Sequence, residues 1–195
     1  AELKRFVENG GALYVSGDIA WDRSHQRTQP ERLEALCGVR FLAQRARPFD
    51  SKKAPEVSYA SVTEPSFTMT GAPLMRMEPA GAEVLMQTEN GDAVVTRFRL
   101  GKGQVFFSTD PLGIHETGGL EQNARFYRQL LSWAAIEPVH LTPYNPNVQV
   151  YRLPLADGGL LYVINNIVHE TSATVFTITE APRPIALTVK PECVG

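Results

Sequence analysis

Cysteine is scarce in this sequence, which has only Cys37 and Cys193 among 195 residues. The two lie far apart and match neither a disulfide framework nor the spacing of a metal-binding pair. We therefore expect both to be structural thiols. Because disulfide-dense secreted domains carry many more cysteines, the composition favours a cytoplasmic protein.

The sequence also lacks any excess or clustering of basic charge. Lys and Arg total 19 against 21 Asp and Glu, which gives a net charge of −2, and no basic block occurs anywhere. Binding to a phosphate backbone needs many cations, so a nucleic-acid partner is not expected.

Long apolar runs are missing as well. None approaches the roughly 18 residues that a membrane span requires, and no basic start leads into an apolar stretch as in a signal peptide. We therefore expect no membrane partner. The sequence opens at Ala1 without a starting Met and stops at Gly195 just after a strand-like run. We expect it to be a segment of a longer protein.

What the sequence does contain is enough apolar material for a core. Hydrophobic residues make up 43% of the chain. A chain of this size holds one large domain, or one ordinary domain with a small appendage, and buries roughly 70% of its unfolded surface.

The first part of the chain follows an α/β pattern. Leu3, Phe6 and Val7 recur at helical spacing, and the Asn-Gly-Gly that follows them ends the helix. The run ALYVS at 12–16 is apolar, as in strands buried on both faces of a parallel sheet. A second helix is predicted from Pro30, with Gly38 as its end and a short strand after it.

The middle of the chain is rich in strand signals. The region 45–65 is predicted to be loop with one strand, VSYASV, and 83–88 and 93–100 form a hairpin around Asn-Gly-Asp. The run 104–109 then has the composition of a central strand. The most strongly patterned helix follows Gly118-Gly119, and its apolar stripe consists of Phe126, Leu130, Leu131 and Trp133.

Three prolines mark a boundary near residue 138. Pro138, Pro143 and Pro146 keep the backbone extended, and the composition changes after them. We therefore predict two domains, 1–137 and 138–195. Alternating patterns predict a small antiparallel β domain in the second, with strands at 148–153, 160–165, 173–178 and 185–189.

Four stretches, taken in this order and spacing, resemble a known family. They are LKRFVENGGALYVSGD, RLEALCGVRF, AEVLMQTENGDAVVTRFRLGKGQVFFSTD and SWAAIEP. Together they look like the trimerisation domain of family 42 β-galactosidases, a relative of the class I glutamine amidotransferase fold, and the tail resembles the small β domain that follows it.

The resemblance implies a flavodoxin-like or amidotransferase-like α/β sheet, possibly without its first strands, followed by a small β domain. It also implies a non-catalytic accessory and oligomerisation region of a larger carbohydrate-active enzyme. Its partners would be an upstream catalytic domain of the same chain and further copies of the chain, arranged as a trimer. No cofactor is expected.

The residues themselves argue against amidase chemistry. An active amidotransferase needs a Cys on a sharp strand-to-helix elbow, whereas Cys37 lies at the end of a predicted helix and not after a strand. His115 and Glu116 follow the strand 104–109, roughly where the amidotransferases keep a His-x-Glu, but here the two are adjacent. An amidotransferase-like hydrolase that uses His115 and Glu116 is kept as an alternative.

Glycosidase chemistry within this segment has little support either. Retaining hydrolysis requires two carboxyl groups about 5 Å apart. The carboxylates of Glu31, Glu34, Glu83 and Glu121 are predicted to lie on solvated faces of helices and strands.

A candidate ligand rim lies at the ends of two predicted strands. Asp18 and Asp110 each end a buried run, and the carboxyl ends of strands form the binding edge of an open α/β sheet. The other candidate residues follow these strands and are Trp21, His25, His115 and Glu116. They predict a small-ligand or sugar-binding module, while the alternative is that both aspartates cap loops through hydrogen bonds. No metal is expected, because no HxH or HExxH spacing occurs.

The loop 21–32 is the candidate contact with a partner subunit. It is long and polar, carries Trp21 and several arginines, and long loops in compact domains are commonly functional. The alternative is a plain surface loop with Trp21 packed into its own domain.

Overall fold

A computed structural model describes residues 2–17, 19, 29–46, 55–63, 66–112, 119–136, 140–142, 148–155, 158–165, 172–177 and 185–189. The chain divides into two compact units, Ala1–Asn123 and Ala124–Gly195. This division falls inside a helix, whereas the sequence places the domain boundary after residue 137. The latter boundary stays a prediction.

Helices and strands alternate at the start of the first unit, and strands dominate the rest. In chain order the elements are α1 (Glu2–Glu8), β1 (Ala12–Ser16), α2 (Pro30–Cys37), β2 (Val39–Gln44), β3 (Val57–Ser61), β4 (Thr68–Gly71), β5 (Met75–Pro79), β6 (Glu83–Thr88), β7 (Ala93–Leu100), β8 (Gly103–Ser108) and the start of α3 (Gly119–Trp133).

The centre of the first unit is a six-stranded mixed sheet in the order β1-β8-β7-β6-β3-β4. β1 runs parallel to β8, with Ala12 opposite Gln104 and Ser16 opposite Ser108. The remaining neighbours in this sheet are antiparallel, and β2 pairs separately with β5. The predicted α/β class is confirmed. Flavodoxin-like sheets are mostly parallel, so that finer assignment is not established by this mixed sheet.

Local signals explain the bounds of α2. Pro30 stands at its first turn, where the missing N–H is not needed, and Gly38 ends it with a left-handed φ of 63°. The Gly38 N–H donates to the carbonyl of Glu34 at 3.0 Å. A Cβ at position 38 would overlap the ring of Phe98, so glycine also permits the close approach of β7. The predicted helix and its end are confirmed.

The core of the first unit lies between the helices and the strands. Its fully or almost fully buried members include Val7 of α1, Leu33 and Cys37 of α2, and Val105 and Phe107 of β8. Both helices contact β7 and β8. Of the apolar stripe predicted for α1, Val7 is buried, whereas Leu3 and Phe6 are 55% and 52% exposed.

Two strands in this unit are not predicted from the sequence. β4 is a four-residue strand, TMTG, and β5 is MRMEP, which ends on a proline. Both are short, and β4 contains Gly while β5 contains Glu and Pro, residue types that are depleted in strands. Pairing with β3 and β2 holds them in place.

The second unit contains the rest of α3 and small antiparallel sheets. β10 (Val148–Leu155) pairs with β11 (Gly158–Asn165), and β12 (Ser172–Thr177) lies between β13 (Ile185–Val189) and β9 (His140–Thr142). The four predicted strands are confirmed as β10 to β13. β9 lies within the proline-rich segment at which the sequence predicts the domain boundary, and the sequence does not predict this strand.

Aromatic packing organises the apolar stripe of α3. Phe126 is fully buried and makes edge-to-face contacts with Tyr127 and Trp133, at centroid distances of 5.6 and 6.5 Å. The predicted helix is confirmed. Across the described helices, none combines the length and apolar character that a membrane crossing needs.

Candidate functional site

Asp110 is the one predicted rim residue that the structure describes. It lies two residues beyond β8, and Gly17 N–H donates to the Ser108 carbonyl at 2.8 Å, so the carboxyl ends of β1 and β8 do meet. The other candidates, Asp18, Trp21, His25, His115 and Glu116, lie outside the described residues. Their role as a rim stays a prediction.

The carboxylate of Asp110 points into the protein interior. Asp110 is fully buried, and its Oδ2 accepts a hydrogen bond of 2.8 Å from the hydroxyl of Tyr59, which is 1% exposed. Ser108 fixes the backbone, since its hydroxyl donates to the Asp110 carbonyl at 3.0 Å and accepts from the Asp110 N–H at 3.2 Å. The end of β8 is thereby joined to β3.

Gly71, the last residue of β4, makes room for this carboxylate. A Cβ at position 71 would overlap Oδ2 of Asp110 and would lie 3.1 Å from the Tyr59 hydroxyl. Gly71 has no left-handed backbone angle, so the requirement is for space alone. We name Tyr59, Gly71 and Asp110 the buried carboxylate cluster.

Electrostatics keep Tyr59 protonated. Burial raises the pKa of Tyr59 above its ordinary 10.0, and the charge and hydrogen bond of Asp110 raise it further, with a smaller contribution from Tyr14. A buried carboxylate is costly unless it is hydrogen-bonded. The neutral phenol supplies such a bond, and this arrangement suits a structural connection between strands.

Cys37 lacks the properties of a nucleophile. It is fully buried at the end of α2, and burial raises the pKa of its thiol from 9.0 to about 12. Reactive cysteines are partly exposed and have a lowered pKa. The interpretation of Cys37 as a structural thiol agrees with this environment, while Cys193 lies outside the described residues.

Several acidic side chains of the first unit belong to exposed or partly buried ion pairs. Glu83 binds Arg97 at 2.6 Å, Glu78 binds Arg40 at 2.6 Å, and Asp92 lies between Arg45 at 2.8 Å and Arg76 at 3.0 Å. The predicted exposure of Glu31, Glu34, Glu83 and Glu121 is confirmed. Within the described part of the chain, no group of three or more His, Cys, Asp or Glu side chains is arranged to hold a metal ion.

Sequence reasoning found Asp110 but missed Tyr59 and Gly71. Tyr59 is separated from Asp110 by 51 positions and reads as one aromatic residue in a short strand. No turn follows Gly71, so no turn signal distinguishes it from the other glycines of the sequence. No local pattern connects the three, because their contact depends on the strand order.

The comparisons with known proteins give matches in solved structures only. No family model and no curated protein matches this sequence. The cold-adapted β-galactosidase from Rahnella sp. R3 is similar, with a TM-score of 0.67 and 15% identity over 96% of this chain. Gan42B, a GH42 β-galactosidase from G. stearothermophilus, has a TM-score of 0.62 and 17% identity over 97% of it.

A β-galactosidase from Bacillus circulans sp. alkalophilus matches 97% of this chain at a TM-score of 0.58 and 15% identity. The present chain spans only 28% of the Rahnella and Gan42B chains and 29% of the Bacillus chain. At such low identity the likeness concerns the fold. The protein thus has the fold of one segment of these β-galactosidases.

Proposed function

We propose that this chain is a non-catalytic accessory and oligomerisation region of a larger carbohydrate-active enzyme that resembles a β-galactosidase. The observation that carries the proposal is the match of 96–97% of this chain to 28–29% of each β-galactosidase chain. A catalytic domain in the same polypeptide and further copies of the chain are the proposed partners.

The chemistry of the described residues supports this proposal. Cys37 and Asp110 are both fully buried, and the acidic side chains of the ion pairs have basic partners. Retaining glycosidases need two carboxyl groups about 5 Å apart in a cleft, one of them with a raised pKa. The residues that supply catalysis are therefore proposed to lie elsewhere in the polypeptide.

The proposal includes the finer fold. The support for a sheet of the class I glutamine amidotransferase type is the parallel pair of β1 and β8 with α1 and α2 packed beside it. In this interpretation Cys37, at the end of α2, does not stand on a nucleophile elbow like that of the amidotransferases, and the sheet serves as a scaffold for assembly.

Activity assays test the non-catalytic role. The isolated chain is expected to hydrolyse neither aryl β-galactosides nor glutamine, whereas the longer parent polypeptide hydrolyses the glycoside. The matched variants are Cys37→Ala and Glu116→Gln. Turnover of glutamine by the isolated chain that disappeared in either variant would overturn the proposal in favour of an amidotransferase-like hydrolase. Turnover of the aryl β-galactoside that disappeared in this way would overturn it in favour of a glycosidase.

Assembly of the parent polypeptide tests the oligomerisation role. Cyclic oligomers repeat one heterologous contact until the ring closes, and stable contacts bury roughly 1,200–2,000 Å² with aromatic and Arg residues at the centre. The segment 21–32, whose last three residues form the first turn of α2, is the proposed contact. Combining Trp21→Ala with Arg27→Ala should give a smaller assembly in sedimentation or a raised KM. Unchanged sedimentation and kinetics would remove this segment from the interface.

A further inference from the structure

β4 is an edge strand of the six-stranded sheet. It pairs with β3 on one side, and none of the described strands pairs with it on the other. The outer side of an edge strand presents backbone N–H and C=O groups that can pair with a strand of another molecule. Proteins without a means of covering such an edge tend to associate through it.

One side chain covers the middle of this edge. The Oε1 of Gln122, on α3, accepts from the Thr70 N–H at 3.0 Å, and its Nε2 donates to the Thr70 carbonyl at 2.9 Å. A carboxamide offers one acceptor and two donors. Gln122 therefore gives Thr70 the same pair of hydrogen bonds that the peptide groups of an adjacent strand would give.

The register shows which side of β4 is involved. Thr70 lies opposite Ser58 of β3. In an antiparallel pair, residues alternately direct their backbone groups toward the partner strand and away from it. Since both backbone groups of Thr70 bind Gln122, Thr70 occupies an outward-directed position.

The shortness of β4 makes one amide sufficient. The strand comprises Thr68–Gly71, so Thr68 and Thr70 are its two outward-directed positions. Gly71 is held next to the buried carboxylate of Asp110. Any strand that docked on this edge would have to displace Gln122 from its central position.

We infer that Gln122 is a built-in edge-strand block that prevents β4 from pairing with β4 of a second copy of this chain. Such self-pairing across a two-fold axis would be antiparallel and isologous, with the same surface contributed by both copies. This inference is independent of the proposed function, because it concerns a surface that is kept out of any assembly.

Three variants test the block. Gln122→Met keeps the length and helix propensity of the side chain but removes both hydrogen bonds, and Gln122→Ala removes the side chain. Gln129→Ala is the control, because it deletes the same amide about two turns further along α3. Hydrogen exchange of the Thr70 amide and sedimentation velocity over a range of concentrations are measured.

Both Gln122 variants are expected to exchange the Thr70 amide about fivefold faster, since a net hydrogen bond contributes about 1 kcal/mol. Both should also sediment as larger species than the wild-type protein at equal concentration, while Gln129→Ala matches the wild type. Thr70 exchange at the wild-type rate in Gln122→Met would overturn the inference. So would faster exchange with wild-type sedimentation, or loss of the whole fold in Gln122→Met, which would make Gln122 a stability requirement instead.

Discussion

At the scale of single residues, positions 71 and 91 favour glycine for different physical reasons. A Cβ at position 71 would overlap the carboxylate of Asp110, whereas position 91 has open space and a left-handed φ of 82°. We expect Gly71→Ala to lower the free energy of unfolding of the first unit by about 3 kcal/mol, through overpacking and a weakened Tyr59–Asp110 hydrogen bond.

Gly91→Ala is the matched control and should lower the free energy of unfolding by only about 1 kcal/mol, from the left-handed backbone angle. Urea denaturation of both variants measures the difference. Equal losses would show that the space beside Asp110 is not limiting.

Cys37 gives the stability a pH dependence on the alkaline side. Its thiol has a pKa of about 12 in the folded state against 9.0 ordinarily, so above pH 9.0 the unfolded state loses a proton that the folded state keeps. The contribution of the protonated Cys37 thiol to the free energy of unfolding is fully present below pH 9.0 and is lost as the pH rises toward 12. The free energy of unfolding should fall by at most about 1.4 kcal/mol per pH unit in this window.

Urea denaturation at a series of pH values in the wild type and in Cys37→Ala measures this contribution. The variant should show a shallower fall, although Tyr59, whose pKa is also raised, adds a decline above 10.0 in both proteins. Identical slopes would mean that the Cys37 thiol ionises equally easily in the folded and unfolded states.

At the scale of elements, the Tyr59–Asp110 hydrogen bond connects β3 with the end of β8. Tyr59→Phe keeps the ring but removes the hydroxyl donor. The fully buried carboxylate of Asp110 then loses this hydrogen bond. The free energy of unfolding should fall by about 2 kcal/mol. Thermal or urea unfolding checks this value.

Tyr127→Phe provides the comparison, because Tyr127 is 39% exposed and the substitution preserves its ring contact with Phe126. Its effect should stay within about 0.5 kcal/mol. A loss in Tyr127→Phe as large as in Tyr59→Phe would show that the Asp110 bond is not the cause.

The elements with a local cause are those that the sequence predicts. α2 begins at Pro30 and ends at Gly38, and the hairpin of β6 and β7 turns at an Asn-Gly-Asp. β4 and β5 have no such local cause. They exist because β3 and β2 offer free edges, and pairing energy then overrides weak propensity.

At the scale of the whole chain, the division into domains can be tested by limited proteolysis. The sequence predicts a boundary at 138–147, and contacts across a domain boundary are few. We expect the first cleavage within 138–147 or 45–55, identified by mass spectrometry of the fragments. A first cleavage within 126–133 would contradict the assignment, because these residues lie in α3.

By itself, the sequence determined the α/β class, the helices, most strands, the β-rich second part and the structural character of Cys37. The secondary structure depends on apolar periodicity or on Gly and Pro at chain turns, and such signals lie within a few residues of one another. The interpretation of Cys37 depends on the number and spacing of the cysteines. The likeness to β-galactosidases was also readable, from four motifs in order.

Only the tertiary structure decided which residues surround Asp110 and that Gln122 covers the outer edge of β4. Asp110 meets Tyr59 across 51 positions, and Gln122 meets Thr70 across 52. Such contacts follow from the strand order β1-β8-β7-β6-β3-β4, which brings distant parts of the chain together. A strand-end aspartate reads the same in the sequence whether it faces solvent or a buried tyrosine, because the hydrogen-bond partner is set by packing.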